Sequence, residues 1–137
     1  MKRVLLIAVN AKYIHSNPAV YSLKAYAQAA LEDLNVEIDI AEYTINQNTE
    51  NILADIYRRK PDIAAFSCYI WNWNTIQGLL PEIPKLLPEA KLWLGGPEVS
   101  FHAEKILEQY SYLDGIMVGE GEQTFTELVR FYQTEEG

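Results

Sequence analysis

The 137-residue sequence contains one cysteine, Cys68, and two histidines, His15 and His102. A single cysteine excludes an intrachain disulfide and any all-cysteine cluster within this stretch. Cys68 and the histidines share no short ligand spacing, so no metal-binding motif can be read. Basic residues are scarce: eleven Lys and Arg stand against nineteen Asp and Glu, a formal net charge of −8. That balance excludes a nucleic-acid footprint. The one basic cluster, Arg58-Arg59-Lys60, precedes Pro61 and reads as the last turn of a helix, where cations meet terminal carbonyls and the helix dipole. Long apolar runs are missing as well. The run after Lys2-Arg3 extends only from Val4 to Val9, too short for a bilayer span and unlike a secretory leader. A cytoplasmic protein without membrane association is therefore expected. Repeats and low-complexity tracts are absent, and no paired nucleophile and base stands out. This stretch carries no self-contained catalytic set.

What is present is a rhythm. The composition, 49% hydrophobic, suits one globular domain over residues 1–137. Val4–Val9, Asp62–Ser67, Leu92–Leu94 and Gly115–Val118 are short apolar runs of the kind that form strands covered on both faces. Val36, Ile38 and Ile40 alternate with Glu37, Asp39 and Ala41, the pattern of a half-exposed edge strand. Between the runs lie helical patterns. Asn17-Pro18 opens one that carries Val20, Leu23, Ala27, Ala30, Leu31 and Leu34 on one face, and Thr49 is placed to cap a second. Gly78, Pro81 and Pro84 predict a kinked or divided third helix. Ser100 is placed to cap a fourth over Phe101–Tyr110, and the last presents Phe125, Leu128, Val129 and Tyr132 inward. Strands alternating with helices give an α/β fold of three layers. Right-handed crossovers and the edge character of the second strand predict a five-stranded parallel sheet in the order 2-1-3-4-5, the flavodoxin-like or Rossmann-like arrangement. Its switch point lies between the first and third strands, where ligands of open α/β sheets bind.

Four loops meet at that carboxyl edge. Leu92-Trp93-Leu94 stops abruptly in Gly95-Gly96-Pro97-Glu98, and Gly115–Val118 stops in Gly119-Glu120-Gly121-Glu122. Glycines without Cβ at two adjacent strand ends permit a sharp turn or the close approach of something large. Glu120 and Glu122 are also first-turn acids suited to a helix amino terminus. They would repel a pyrophosphate, and the Gly-Glu-Gly-Glu stretch follows the wrong strand for a dinucleotide loop. After the first strand stand Asn10, Lys12, Tyr13 and His15. This is not the Ser/Thr/Gly loop of a flavodoxin, nor does it have the strand-terminal Asp of a phospho-receiver domain. Tyr69, Trp71 and Trp73 crowd the loop after Ser67, where aromatics either stack on a flat ligand or pack beneath the next helix.

Leu94-Gly95-Gly96-Pro97-Glu98-Val99-Ser100, followed by Asp114 to Glu122 and then Thr124-Phe125 and Glu127-Leu128, resembles the amino-terminal cobalamin-binding domain of cobalamin-dependent radical S-adenosylmethionine enzymes. Asn10 to Ala19 is similar to the first loop of one branch of that family. The resemblance implies the sheet already inferred, with a corrin ring over its carboxyl edge and a nucleotide tail running between strands. Gly95 and Gly96 would let the tail pass, Ser67 would be a polar contact, and residues 119–122 would border the corrin or a following domain. With these, Asn10, Lys12, Tyr13, His15, Tyr69, Trp71, Pro97 and Glu98 complete the cofactor-binding set the resemblance suggests. It also implies a partner domain C-terminal in the same chain, carrying a 4Fe–4S cluster and S-adenosylmethionine, in an enzyme of methyltransferase or cyclase type. Related cobalamin domains with a cobalt-ligating histidine carry Asp-x-His-x-x-Gly after the first strand. Here Tyr13 and Pro18 replace the Asp and Gly around His15, so His15 is not expected to ligate cobalt. The alternative is a degenerate module of the same fold that binds no cofactor and serves as an interaction domain.

Overall fold

A computed structural model describes residues 2–11, 18–118 and 121–135. Five strands, β1 (Lys2–Asn10), β2 (Val36–Thr44), β3 (Ile63–Ser67), β4 (Lys91–Gly95) and β5 (Gly115–Ile116), form one parallel sheet in the order β2-β1-β3-β4-β5. This is the predicted α/β topology. Helices α1 (Pro18–Ala30) and α7 (Gly121–Glu135) cover one face, and α2 (Thr49–Arg59), α3 (Trp73–Leu79), α4 (Ile83–Leu86) and α6 (Ala103–Gln109) cover the other, with short α5 (Pro97–Ser100) at the carboxyl edge. Among the described residues no helix is long and apolar enough to cross a membrane.

Strand alternation divides the core. Val4, Leu6 and Ala8 of β1 face Val20, Ala27, Phe125 and Val129, whereas Leu5, Ile7 and Val9 face Ile52, Ile56, Ile76 and Leu79. A strand buried on both sides has no reason to alternate polar residues, which is why β1 and β3 read as unbroken apolar runs. Each large side chain fully buried here, such as Phe66 or Phe125, contributes about 1.5–3 kcal/mol relative to an exposed one. β2 lies at the edge, and its Glu37 and Asp39 are exposed while Ile38 is buried.

Some details differ from the predicted pattern. Asn48, not Thr49, caps α2: its side-chain oxygen accepts from the Glu50 amide at 2.7 Å. The helix expected over Phe101–Tyr110 is α6, Ala103–Gln109, but Ser100 does not cap it: Ser100 ends the additional short α5, its hydroxyl donating to the Gly96 carbonyl at 2.8 Å. β5 is two residues long, not four, because at the sheet edge it pairs only with Trp93 and Leu94. Ala30 is exposed, so the buried stripe of this segment runs through Val20, Ala27 and Leu31. The proline-bearing segment breaks as expected, into α3, a 3₁₀ turn at Leu80–Glu82, and α4.

The basic cluster ends α2. Lys60 adopts φ 50° and its amide donates to the Tyr57 carbonyl at 3.2 Å. Arg58 and Arg59 turn back to Asp55, at 3.2 and 2.9 Å. Asp55 also accepts a 2.6 Å hydrogen bond from the Tyr43 hydroxyl on β2, and this bond, followed by the Arg59 contacts, holds its carboxyl below the ordinary value of 3.8. A depressed folded-state value means stability that is present above pH 3.8 and lost as the pH falls below it. Asp55→Asn is therefore expected to cost about 1 kcal/mol at pH 7. The gap from wild type should narrow at pH 3, as read by urea unfolding at the two pH values.

Candidate functional site at the carboxyl edge

On the α1/α7 side of the sheet, inward-facing side chains shrink toward the carboxyl edge. β1 presents Val4, Leu6 and then Ala8; β3 presents Ile63, Ala65 and then Ser67; β4 presents Trp93 and then Gly95. Ala8, Ser67 and Gly95 lie side by side in register. Small residues at the end of three neighbouring strands leave a gap beneath the helices above them, and a cavity of about 380 Å³ occupies it. Leu6, Ala65, Ser67 and Gly95 form its floor, and Ala19, Val20 and Leu23 of α1 form one wall. Met117, Gly121 and Glu122 bound it on the α7 side, and Pro97 and Ser100 of α5 stand at its mouth with Tyr69.

The mouth is held by two backbone devices. After β1 the chain passes to the α1 side, and after β3 to the α3 side, so the strand ends part at the switch point. Asn72, fully buried, spans them: its amide nitrogen donates to the carbonyls of Val9 and Ser67, each at 3.0 Å, and its oxygen accepts from the Tyr69 amide at 2.8 Å. The second device is Gly96, at φ 102°. A Cβ there would stand 2.3 Å from the Cys68 carbonyl oxygen. Its neighbours close the clasp: the Cys68 amide donates to the Gly95 carbonyl at 2.7 Å, and the Glu98 amide donates to the Cys68 carbonyl at 3.3 Å. Burial pushes the Cys68 thiol up, out of the range of a reactive thiolate.

Of the residues singled out from sequence, Ser67, Tyr69, Gly95, Gly96, Pro97, Gly121 and Glu122 converge on the cavity. Asn10 does not line it; its amide nitrogen donates to Glu42 on β2 at 3.2 Å. Glu98 takes part in the clasp through its backbone. Trp71 lies outside the cavity, stacked on Tyr69 at 4.5 Å between ring centroids. Trp73 is the first residue of α3 and meets Tyr110 edge to face at 6.3 Å, so it belongs to the packing. Lys12, Tyr13, His15, Gly119 and Glu120 lie outside the described residues. Glu122 serves the helix: its carboxylate, accepting from its own amide and from Ser22 at 2.9 Å, is held below the usual carboxylate range.

Sequence inspection passed over Ala65, Ala19 and Met117, and over the role of Asn72. The falling size of alternate strand residues was the available signal for the cavity. No local pattern announces Asn72. Around the mouth the edge is apolar and exposed: Ile70 is 80% and Phe101 87% accessible, with Trp71 and Val118 about half so.

Residues 4–129 match the family described as the B12 binding domain. The chain is 33% identical over 70 residues to the cobalamin-dependent radical SAM methyltransferase TokK of Streptomyces tokunonensis, covering 51% of this chain and 10% of that protein. It is 24% identical over 115 residues to the anaerobic magnesium-protoporphyrin IX monomethyl ester cyclase of Cereibacter sphaeroides, covering 84% of this chain and 18% of that one. Among solved structures, the radical S-adenosylmethionine methyltransferase TsrM from Kitasatospora setae superposes with a TM-score of 0.76 at 19% identity, over 98% of this chain and 26% of that one, which shows a shared fold. The chain thus spans between a tenth and a fifth of the length of these two curated relatives.

The two devices at the mouth set the stability cost of altering it. Gly96→Ala is expected to lose about 3 kcal/mol or more, from strain at positive φ together with the clash on Cys68. Gly78→Ala, in α3 with nothing within 4 Å of the added Cβ, should instead gain about 0.5–1 kcal/mol. Asn72→Ala leaves two carbonyls and one amide without their buried partner and should cost about 2–4 kcal/mol. Denaturant unfolding of the three variants checks the ranking.

Proposed function

The chain belongs to the B12 binding domain family, and from that premise we propose that its cavity takes the nucleotide tail of cobalamin while the carboxyl edge supports the corrin. The cavity carries this reading. It is too small for a whole corrinoid, but it is mostly apolar and open to the surface, which fits a substituent of the ring. Its floor ends in Gly95, where an added Cβ would already lie 3.2 Å from the Met117 methyl group. Ser67 supplies a hydroxyl beside this glycine. Tyr69, Pro97 and Gly121 at the mouth, with Trp71 on the rim, give a broad flat ring an apolar seat. Lys12, Tyr13, His15, Gly119 and Glu120, outside the described residues, stay in the proposed set on the sequence resemblance alone. In this reading Gly96, Asn10 and Glu98 hold the strand ends and turn. Cobalamin, when bound, supplies a redox-active cobalt centre; the chain's own part is to seat it and leave one face open.

We extend the proposal to the whole protein: a radical S-adenosylmethionine enzyme of methyltransferase or cyclase type, whose C-terminal domain holds a 4Fe–4S cluster and S-adenosylmethionine and covers the open corrin face. The names of the long relatives and the exposed apolar rim of Ile70, Phe101 and Val118 support it. The interaction domain without a cofactor is not favoured, since such a module would have no use for an open, glycine-floored cavity.

Hydroxocobalamin titration followed by absorbance tests the seat. Ser67→Leu places a bulky side chain in the cavity and is expected to weaken binding at least about tenfold, with a change in unfolding stability below about 1.5 kcal/mol. Unchanged affinity would remove the tail from this cavity. Residues 1–137 alone should bind more weakly than the full-length protein, because one sheet edge covers only one face of the ring; equal affinities would count against the covering domain.

A further inference from the structure

We propose that Glu42 is a positioning residue that sets the width of the cavity by holding the first turns of α1. The inference rests on the cavity being the cofactor groove. Within α1 only Val20 and Ala27 are buried, while Pro18 and Ala19 are exposed and Leu23 is half-buried over the cavity. In the amino-terminal half of the helix Val20 alone is fully buried against the sheet, and the rest of the inner face borders the cavity. With one apolar anchor there, groups on its flanks help set its distance from the sheet.

Two carboxylates do so, from opposite sides. Tyr21 and Ser22 are consecutive, so on a helix they project about 100° apart. The Tyr21 hydroxyl donates to one Glu42 oxygen at 2.7 Å, and the Asn10 side chain donates to the other at 3.2 Å. Glu42 thus joins the end of β1, the edge strand β2 and the first turns of α1. On the other flank the Ser22 hydroxyl reaches Glu122 of α7 at 2.9 Å, where Gly121 lets the helices close to within a methyl of Leu23. Hydrogen bonds to a charged acceptor are short and directional, which suits a strut where packing supplies no registry. Glu42 does not line the cavity, so it acts on a ligand only through the placement of Ala19, Val20 and Leu23.

The test uses the intact protein, with hydrogen exchange and hydroxocobalamin affinity as separate readouts. Tyr21→Phe and Glu42→Ala should each raise exchange over amides 19–24 about fivefold, leaving amides 92–94 of β4 unchanged, and weaken hydroxocobalamin by a similar factor. Because Glu42→Ala already removes the acceptor of the Tyr21 hydroxyl, along with that of Asn10, the double variant should be no worse than Glu42→Ala alone. Glu42→Gln, which keeps an acceptor for the tyrosine hydroxyl, should recover most of the affinity. Unchanged exchange in Tyr21→Phe, additive effects in the double variant, or loosening spread through β4 would each overturn the assignment. Exchange decides the strut whether or not wild-type protein takes up hydroxocobalamin; lack of uptake would count instead against the groove reading.

Discussion

The buried amide of Asn72 is the constraint on which the edge depends. The parting of β1 and β3 at the switch point leaves carbonyls of Val9 and Ser67 pointing into space that neither strand can fill. A buried carbonyl without a donor costs about as much as a lost hydrogen bond, so the gap must be either wet or bridged. One side chain bridges it and also fixes the Tyr69 amide. With that loop fixed, the Cys68 carbonyl is where Gly96 must meet it, and only a residue without Cβ can turn there. The turns that frame the mouth of the cavity are thus fixed by backbone contacts.

The cavity follows from a different rule, the taper in side-chain size along three adjacent strands. Large residues at the amino end give the sheet its core with α7 and the rear of α1; small ones at the carboxyl end withhold packing from the front of α1. A helix end held to the sheet by one buried side chain, Val20, gains registry from polar braces. Tyr21 with Glu42 and Ser22 with Glu122 supply them. Glu122, one of the site residues suggested by the sequence, both borders the cavity and holds two helices together. Core packing gives the stability, and the polar braces give the geometry of the opening.

Much of the fold was legible in the residues. β1 and β3 announce themselves as two-faced strands, β2 as an edge, and the prolines at 81 and 84 divide the helix they occupy. Capping was less legible. Asn48 and Thr49 are both competent caps, and the choice rests on where the backbone turns. Ser100 reads as a cap but closes a short helix behind it, because the Gly96-Pro97 turn starts a helix earlier than the apolar spacing suggests. β5 reads as four residues but pairs over two, Gly115 and Ile116 against Trp93 and Leu94 of the longer β4.

At the site the division is equally physical. Gly95-Gly96-Pro97 and the second glycine-bearing strand end mark the edge from local chemistry, because glycine after an apolar run permits either a sharp turn or a close approach. That Asn10 turns to Glu42, that Trp73 packs while Trp71 stands on the rim, and that Ala19 and Ala65 become lining are long-range facts. The amino-acid sequence by itself determined the order of the layers, the parallel sheet and the edge proposed for a ligand, since these follow from hydrophobic period and from glycine. Only the tertiary structure decided which side chains border the cavity and which brace it. Those roles depend on distances between residues far apart in sequence, such as 10 and 42 or 22 and 122, which no local pattern encodes.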